Sequence, residues 1–480
     1  MSGPVVSKEK RTSANGEMDN LTPGDIEARV FRMIKTEISN TFRPELKSEY
    51  ATHVANMLCT VLDNLSLWRE SPFSLKNHAE ILESVTATGD KLGAPFRLED
   101  NAGVANTLAE AVRKADTKEL PYLSSLIANI ELERIEFENK TTVKTNLEKQ
   151  ELLSKIEVEV TPRLLDAYFG KSTELTNEKT DCITRLPGGY SKDTFLVSCR
   201  SGREIVIRRD LPFGPADTTA PNEYRLLRQL AKFGLPVPNP IVAEKTFEPL
   251  GQPFLVVERI FGSNAAEIAR KSKPLARDVA LELARFLGRL HAIDPAEVSL
   301  SGTMADPQEE IRHYIDGWKQ WWYRHRIHES PLIEIGFIWL SKNLPRNIDR
   351  LVTVHGDARP DNMLVDASGK LTAMLDWEHA HVGDAREDLE YAHEFVSGLI
   401  DRESFNEAYL DAGGVATGQG GRYFYEIWRS VRNLVCLEVA WGGFIRDRYP
   451  SYKIGAPILV FRNHLQTQLA TSLQKINWVQ

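Results

Sequence analysis

The segment VTVHGDARPDNMLVD, residues 352–366, limits the fold of this chain more than any other stretch. Two short apolar runs, VTV and MLV, flank a loop that contains His355, Asp357, Arg359, Asp361 and Asn362. Short apolar runs bounded by turn signals predict buried strands. A turn between two buried strands does not need so many ionisable and amide groups, so we expect this loop to carry function.

The spacing of the acidic and amide residues indicates a class of chemistry. Asn362 lies five residues after Asp357, and Asp376 lies fourteen residues after Asn362, at the end of the predicted strand LTAML. This spacing is typical of phosphoryl-transfer sites, in which one aspartate accepts the hydroxyl proton while an asparagine and a second aspartate hold magnesium. Carboxylate and amide oxygens are the hard ligands that magnesium prefers. An Asp/Asn-rich turn that caps neighbouring backbone is the alternative, but it explains neither the spacing nor the strand before Asp376.

The sequence HGDARPDN, followed by LDWEHAHVGDAREDL, resembles the Brenner-type loop and metal-binding segment of the aminoglycoside phosphotransferase and choline kinase-like superfamily, which shares the protein-kinase fold. The arginine after HGDx and the sequence LDWE are similar to a subgroup of kinase domains fused to acyl-CoA dehydrogenases, some of which phosphorylate hydroxyacyl-CoA thioesters. The resemblance covers roughly residues 160–480. It implies an α+β, bilobal protein-kinase-like fold, with a small β-rich N-lobe over residues 160–262 and a helical C-lobe over residues 263–480.

Carried onto this sequence, the resemblance implies ATP and Mg²⁺ as cofactors. It makes Asp357 the catalytic base and makes Asn362 and Asp376 the metal ligands, with His355 bracing the loop. Outside the loop, structural roles are expected for three further residues, namely His291, Asp384 and Asp388. The two aspartates should cap and anchor the chain after the metal-binding segment.

A glycine pair in LPGGYSKDTF is a candidate phosphate loop. Two glycines between predicted strands let backbone N–H groups approach phosphate closely, although a glycine pair in a hairpin is often only a turn. Under the resemblance, Gly188, Gly189 and Ser191 form the loop over the phosphates, and Lys192 lies at its tip.

Alternation in the strand IVIRR places Val206 and Arg208 on one face. Under the resemblance, Arg208 takes the position of the ATP-binding lysine, and Glu223 is its ion-pair partner. A guanidinium clamps phosphate as a permanent, often bidentate cation, so the arginine indicates a variant site. A buried edge strand with solvated arginines is the alternative.

The segment FLVVERIFG resembles the hinge that meets adenine. Backbone groups from Glu258 to Ile260 would contact the base, although an ordinary buried strand fits the same pattern.

The N-terminal third has a different character. Residues 1–20 are polar and predict a disordered tail, whereas residues 21–155 carry apolar residues at helical spacing and predict a mostly α-helical domain. Its role is open between homodimerisation and a lid over the site.

Charge, cysteine spacing and hydropathy exclude several classes of protein. The net charge of −8 disfavours a general affinity for nucleic acid. The four cysteines are far apart without a CxxC pair, which indicates neither a zinc site nor a disulfide framework. No apolar run reaches the about 18 residues of a membrane span, and the N-terminus has no signal-like apolar region. We therefore expect a cytoplasmic protein without membrane partners.

In protein kinases an activation loop and an APE segment follow the metal-binding segment. No APE-like segment follows LDWE here, so the acceptor is predicted to be a small-molecule alcohol. Basic residues in the helices expected around the acceptor favour a neutral or anionic alcohol, such as a hydroxyacyl thioester, over a cationic aminoglycoside; they are Lys319, Arg324, Arg326, Arg422, Arg429 and Arg432. The segment WKQWWYRHRIH, residues 318–328, either lines this pocket or packs in the core. We predict an ATP- and magnesium-dependent phosphotransferase, with an antibiotic or xenobiotic O-phosphotransferase and a non-catalytic nucleotide-binding module as alternatives.

Overall fold

The computed structural model describes residue 85 and residues 101–141, 158–186, 191–214, 218–300, 302–417, 420–445 and 452–476. The predicted tail, residues 1–20, lies outside these ranges, as does most of the predicted helical segment before residue 101. Within the described ranges, helices come first, a β-rich lobe follows, and a mainly helical lobe ends the chain. The predicted α+β fold class with a leading helical segment is therefore confirmed.

The β-rich lobe is one antiparallel sheet with strand order β1-β2-β3-β5-β4. Its strands are β1 (Thr180–Leu186), β2 (Lys192–Cys199), β3 (Glu204–Asp210), β4 (Pro240–Glu244) and β5 (Phe254–Glu258). Helices α3 (Pro162–Phe169) and α4 (Glu223–Lys232) belong to this lobe. On β3, Ile205 and Ile207 are fully buried in a core that α3 shares. Alternation along the strand therefore turns Arg208 to the opposite face of the sheet.

The C-terminal lobe is built around the buried helix α6. Its helices are α5 (Ala265–Lys271), α6 (Lys273–Ala292), α7 (Pro307–His325), α8 (Pro331–Lys342), α9 (Ala385–Val396), α10 (Arg402–Asp411), α11 (Arg422–Ile445) and α12 (Tyr452–Lys475). Five short strands lie among them: β6 (Ser263–Asn264), β7 (Val352–Val354), β8 (Met363–Val365), β9 (Leu371–Met374) and β10 (His381–Gly383). Leu283 and Leu287 of α6 share one core with Met363 and Met374, so the hairpin that leads to the candidate site rests on this helix.

Two helices from the N-terminal third, α1 (Asn101–Lys114) and α2 (Leu120–Thr141), pack into the C-terminal lobe. Leu123 and Ile127 of α2 share a hydrophobic core with Trp322 of α7 and Leu469 of α12. Trp318 also lies in this core, so core packing holds for two tryptophans of the segment WKQWWYRHRIH. The division of the chain into domains stays a prediction.

The helices that the structure describes include none with the length and apolar character needed to cross a membrane.

Two helical glycines give a matched test of how closely the helices pack. A Cβ at Gly288 of α6 would lie 2.2 Å from the carbonyl oxygen of Tyr409 in α10, whereas a Cβ at Gly317 of α7 would meet nothing within 4 Å. We expect Gly288→Ala to lower the free energy of unfolding by about 1–3 kcal/mol through overpacking. Gly317→Ala should raise it by about 0.5–1 kcal/mol, because alanine loses less backbone entropy in a helix. Urea unfolding followed by tryptophan fluorescence measures both, and equal effects would contradict the packing described.

Candidate active site

The loop between β7 and β8 and the chain after β9 meet at one end of a β-hairpin. Strands β8 and β9 pair antiparallel with Met363 opposite Met374. The N–H of Leu375 donates to the carbonyl oxygen of Asn362 at 2.8 Å, which extends the pairing by one residue. Asn362 and Asp376 therefore lie side by side, as the spacing predicts.

Asp357 has hydrogen-bond donors on both carboxylate oxygens. The side-chain amide of Asn362 donates to Oδ2 at 2.6 Å, and the Tyr391 hydroxyl donates to Oδ1. Nε of Arg359 lies 3.6 Å from Oδ1. Burial alone would raise the pKa of Asp357, but the Arg359 cation and the Tyr391 hydrogen bond outweigh burial and hold this pKa below its usual value. The carboxylate is therefore ionised at neutral pH and can accept a proton.

A second buried carboxylate, Asp388, anchors the start of the loop. It accepts the backbone N–H of His355 at 2.6 Å and that of Gly356 at 2.9 Å, and Nε2 of His291 lies 3.1 Å from it. Gly356 has φ +81°, and a Cβ there would lie 2.7 Å from the carbonyl oxygen of His379. Both features fix the backbone just before Asp357. The structural role expected for His291 agrees with these contacts. Asp388 is an anchor as expected, but it holds the loop before Asp357 and not the chain after the metal-binding segment.

His355 braces the loop from within. Its Nδ1 lies 3.2 Å from the backbone N–H of Asp357, and its Nε2 lies 3.1 Å from the carbonyl oxygen of Leu375. Because Nδ1 accepts, Nε2 carries the proton and donates. The imidazole therefore ties the loop to the strand end that leads to Asp376. Asp384, the other predicted anchor, caps α9 by accepting the N–H of Arg386 at 2.9 Å.

Arg208 joins the sheet to the C-terminal lobe through two carboxylates. Nη1 forms an ion pair with Glu223 at the start of α4, the pair that the sequence predicts. Nη2 donates to Oδ1 of Asp376 at 2.8 Å, a contact that the strand pattern did not indicate. One guanidinium therefore bridges the β-rich lobe and the candidate metal-binding segment.

The surroundings of Asp376 suit a cation. Burial, followed by the nearby Glu378 carboxylate, raises the pKa of Asp376 well above its usual range, although Arg208 opposes this effect. A metal ion would relieve that repulsion between carboxylates. Among the residues that the structure describes, the side-chain carbonyl oxygen of Asn362 has no partner, because its amide nitrogen makes the contacts to Asp357. A carboxylate beside a free amide oxygen is a donor set that fits magnesium.

Glu378 forms a second link between the lobes, one that the sequence analysis missed. Its Oε2 accepts the hydroxyl of Ser191 at 2.7 Å and the ammonium of Lys192 at 2.8 Å. Lys192 is only 4% exposed, so its predicted position at a loop tip is wrong, because this ion pair holds it at the buried start of β2. Gly188 and Gly189 lie outside the described residues. The signal for Glu378 was its place two residues after Asp376 in LDWE.

The predicted hinge lies at the end of β5. The backbone N–H of Glu258 donates to the carbonyl oxygen of Asn239 at 3.0 Å, and the Glu258 side chain is about half exposed at 48%. The contact of residues Glu258 to Ile260 with adenine stays a prediction.

Tyr391 was also missed, and no sequence signal points to it. It lies 34 residues after Asp357 and reaches the carboxylate only because α9 packs beside the loop. The guanidinium of Arg432 on α11 lies 5.3 Å from the centre of the Tyr391 ring. Of the other basic residues expected at the acceptor, Arg422 is exposed and pairs with Glu426 at 2.7 Å.

Comparisons with known proteins agree with this arrangement. Residues 183–427 match the phosphotransferase enzyme family. Acyl-CoA dehydrogenase family member 11 of Gallus gallus is 28% identical over 218 residues, which cover 44% of this chain and 28% of that protein. Viomycin phosphotransferase of Streptomyces vinaceus is 28% identical over 182 residues, covering 35% of this chain and 60% of that one. The match thus spans little more than a quarter of the first relative's length.

A solved structure from Ralstonia eutropha, named as a candidate aminoglycoside phosphotransferase, superposes with a TM-score of 0.50 at 19% identity. The match covers 66% of this chain and 98% of that one. At this identity the similarity shows the fold alone, and it confirms the predicted kinase-like architecture.

The anchoring role of Asp388 can be tested through stability. Asp388→Asn would replace one of two acceptor oxygens by a donor that faces a backbone N–H or His291, so we expect the free energy of unfolding to fall by about 3–5 kcal/mol. Asp316→Asn, at an exposed position of α7, is the control and should change it by less than about 0.5 kcal/mol. Urea unfolding measures both, and similar small effects would show that Asp388 is not an anchor.

Proposed function

Because the chain belongs to the phosphotransferase enzyme family, we propose that it transfers the γ-phosphoryl group of ATP, with magnesium, to a hydroxyl of a small neutral or anionic alcohol. The observation that carries the proposal is the convergence of Asp357, Asn362 and Asp376 at one hairpin end, next to the Arg208–Glu223 ion pair. A hydrogen-bonded carboxylate beside a cation-binding pair is the arrangement that phosphoryl transfer to an alcohol needs.

In this mechanism Asp357 positions the acceptor and takes its proton. The acceptor hydroxyl donates to the ionised carboxylate, its oxygen attacks the γ-phosphorus, the bond to ADP breaks, and the proton passes to Asp357. Phosphoryl transfer has a loose transition state, so a base with a low pKa suffices when it holds the hydroxyl in line. The donors Asn362 and Tyr391 fix the carboxylate in one orientation for this purpose.

On the nucleotide side, Asn362 and Asp376 would hold the metal ion. Magnesium, when bound, neutralises charge on the phosphates. Arg208 is placed to donate to phosphate, since Glu223 fixes one side of its guanidinium and Asp376 the other. Ser191, with Gly188 and Gly189 before it, would cover the phosphates, and backbone groups from Glu258 to Ile260 would meet adenine.

Two acceptor classes fit the relatives' names. Similarity to acyl-CoA dehydrogenase family member 11 supports a hydroxyacyl thioester, in line with the resemblance in HGDARPDN and LDWE. Similarity to viomycin phosphotransferase supports the second candidate, an antibiotic O-phosphotransferase. A non-catalytic module is the least supported, because the three residues needed for chemistry are all present.

The cellular setting is part of the same proposal. The described cysteines, Cys182, Cys199 and Cys436, are free thiols, which fits a reducing, cytoplasmic compartment. Homodimerisation through residues 21–155 remains the proposed role of that segment, with a lid as the alternative.

The different roles of the two aspartates can be separated by substitution. Asp357→Asn should keep magnesium-dependent ATP affinity and lose turnover by about 100-fold or more, because only proton acceptance and acceptor positioning are removed. Asp376→Asn should weaken magnesium-dependent ATP binding as well as turnover, and added magnesium should partly restore both. Calorimetric titration with ATP, with and without magnesium, and ADP release against magnesium concentration measure these effects.

Asp366→Asn, in an exposed turn of the same hairpin, is the control and should leave binding and turnover unchanged. If Asp357→Asn lost magnesium-dependent binding while Asp376→Asn kept it, the two roles would be reversed. If neither substitution changed ADP release with any accepted alcohol, the kinase mechanism would be wrong.

A further inference from the structure

Two buried arginines away from Asp357, Arg386 and Arg209, have close polar partners, whereas a third, Arg429, lies 3.5 Å from Glu394. Arg386 donates to Asp384 at 2.8 Å through Nε and lies 2.6 Å from it through Nη2. Arg209 donates to two backbone carbonyl oxygens, both at 2.9 Å. These contacts are what a desolvated guanidinium requires, because an unpaired buried charge is strongly unfavourable.

Two arginines beside Asp357 depart from this pattern. Nε of Arg359 lies 3.6 Å from Oδ1 of Asp357 and has no hydrogen-bond partner among the described residues. Arg432 is 1% exposed, yet its Nη1 lies 3.6 Å from Glu387, and its one hydrogen bond to a described residue, Asn433, is 3.5 Å long. Nε of Arg432 has no partner in the part of the chain that the structure describes. Both cations therefore retain unused donors.

The two oxygens of Asp357 show on which side these cations lie. Oδ2 faces Asn362, which is joined to the chain before Asp376 and so marks the metal side. Oδ1 faces Tyr391 and Arg359. Arg359 and Tyr391 therefore share Oδ1, the oxygen of Asp357 that Asn362 does not contact.

Aromatic rings orient both cations on that side. Arg359 lies 5.4 Å from the ring centre of Phe395, which is 37% exposed, and Arg432 lies 5.3 Å from the ring centre of Tyr391. Tyr391 and Phe395 occupy successive turns of α9, with ring centres 5.3 Å apart. Arg432 is therefore buried beside the Tyr391 ring, whereas Arg359 stays 30% exposed and accessible to a ligand.

Resting on the proposed function, we propose that the acceptor is an anionic alcohol, whose carboxylate or phosphate group binds Arg359 while its hydroxyl contacts Asp357. Arg432, behind Tyr391, adds positive potential in a site of low dielectric. The anion would bind the Nη groups of Arg359, because Nε faces Asp357. With the width of the guanidinium and one hydrogen bond of ordinary length at each end, the 3.6 Å between Nε and Asp357 limits the hydroxyl and anionic oxygens to about 12 Å apart. The class is thus a short hydroxycarboxylate or hydroxyalkyl phosphate, in place of the hydroxyacyl thioester, whose acyl end is uncharged.

The transferred γ-phosphoryl group is the competing anion for Arg359. If Arg359 binds the γ-phosphoryl group, its substitution should weaken phosphoryl transfer to every acceptor by the same factor. If Arg359 binds the acceptor's own anionic group, its substitution should weaken the binding of charged acceptors only. The two cases therefore separate when charged and uncharged acceptors of one shape are compared.

The test uses the full chain, a panel of short hydroxycarboxylates, hydroxyalkyl phosphates and the matching uncharged hydroxyamides, and kanamycin as a cationic acceptor. ADP release gives KM and kcat for each acceptor, and calorimetry gives Mg·ATP affinity. We expect a charged acceptor to be preferred, and Arg359→Gln to raise its KM by about 10- to 100-fold, the loss of one charge-assisted contact. The KM of the amide and the affinity for Mg·ATP should be unchanged.

Two variants control for structure. Arg359→Lys keeps the positive charge but lacks the planar guanidinium, so it should recover part of the preference for charged acceptors. Arg285→Gln removes an exposed cation of α6 that is paired with Glu282, and it should keep the preference for charged acceptors in full.

Preference for the amides or for kanamycin would overturn the inference and leave the proposed kinase activity intact. The inference also fails if Arg359→Gln affects charged and uncharged acceptors equally, or if Mg·ATP binds but no charged acceptor is phosphorylated. Absence of Mg·ATP binding together with absence of transfer to any acceptor would instead overturn the proposed function.

Discussion

The ion pairs that cross from the sheet to the C-terminal lobe decide how the two lobes face each other. Arg208 holds Glu223 in its own lobe and Asp376 in the other, and Lys192 reaches Glu378 two residues further on. Buried charges are tolerated only when they are paired, so displacing either lobe would break several of these ion pairs. The same pairs place a phosphate-clamping cation next to the candidate metal ligands. Architecture and chemistry thus depend on one network.

The loop that carries Asp357 is held differently, by hydrogen bonds to its backbone. Asp388 accepts two loop N–H groups, and His355 joins the loop to the end of β9. Because the side chains that fix the loop are buried, the loop has few alternative conformations, and Asp357 is oriented before any substrate arrives. The site is thus held in two separate ways. Hydrogen bonds to the loop backbone orient Asp357, and ion pairs between the lobes position Arg208 and Asp376.

The parts of this molecule that sequence predicted are those whose residues are close along the chain. Five and fourteen residues separate Asp357, Asn362 and Asp376, and strand alternation alone placed Arg208 on the correct face. Contacts across long separations were not predictable: Tyr391 is 34 residues from Asp357, and Lys192 is 186 residues from Glu378. Such contacts depend on how whole helices pack, which periodicity does not encode. Lys192 was misplaced because a lysine after a glycine pair suggests an exposed tip, whereas its charge partner lies in the other lobe.

The shared core of α1, α2 and the C-terminal helices has a consequence for how the protein is made. Arg134 on α2 donates to Gln466 on α12, a residue 332 positions later. At about 5–20 residues per second, a ribosome needs about 20–70 s to reach the second partner after making the first. During that interval α1 and α2 can pack against each other and against α7 and α8, but the part of the core that α12 completes stays uncovered. This core, unlike the one around α6 that supports the candidate site, is therefore complete only after α12 has been made.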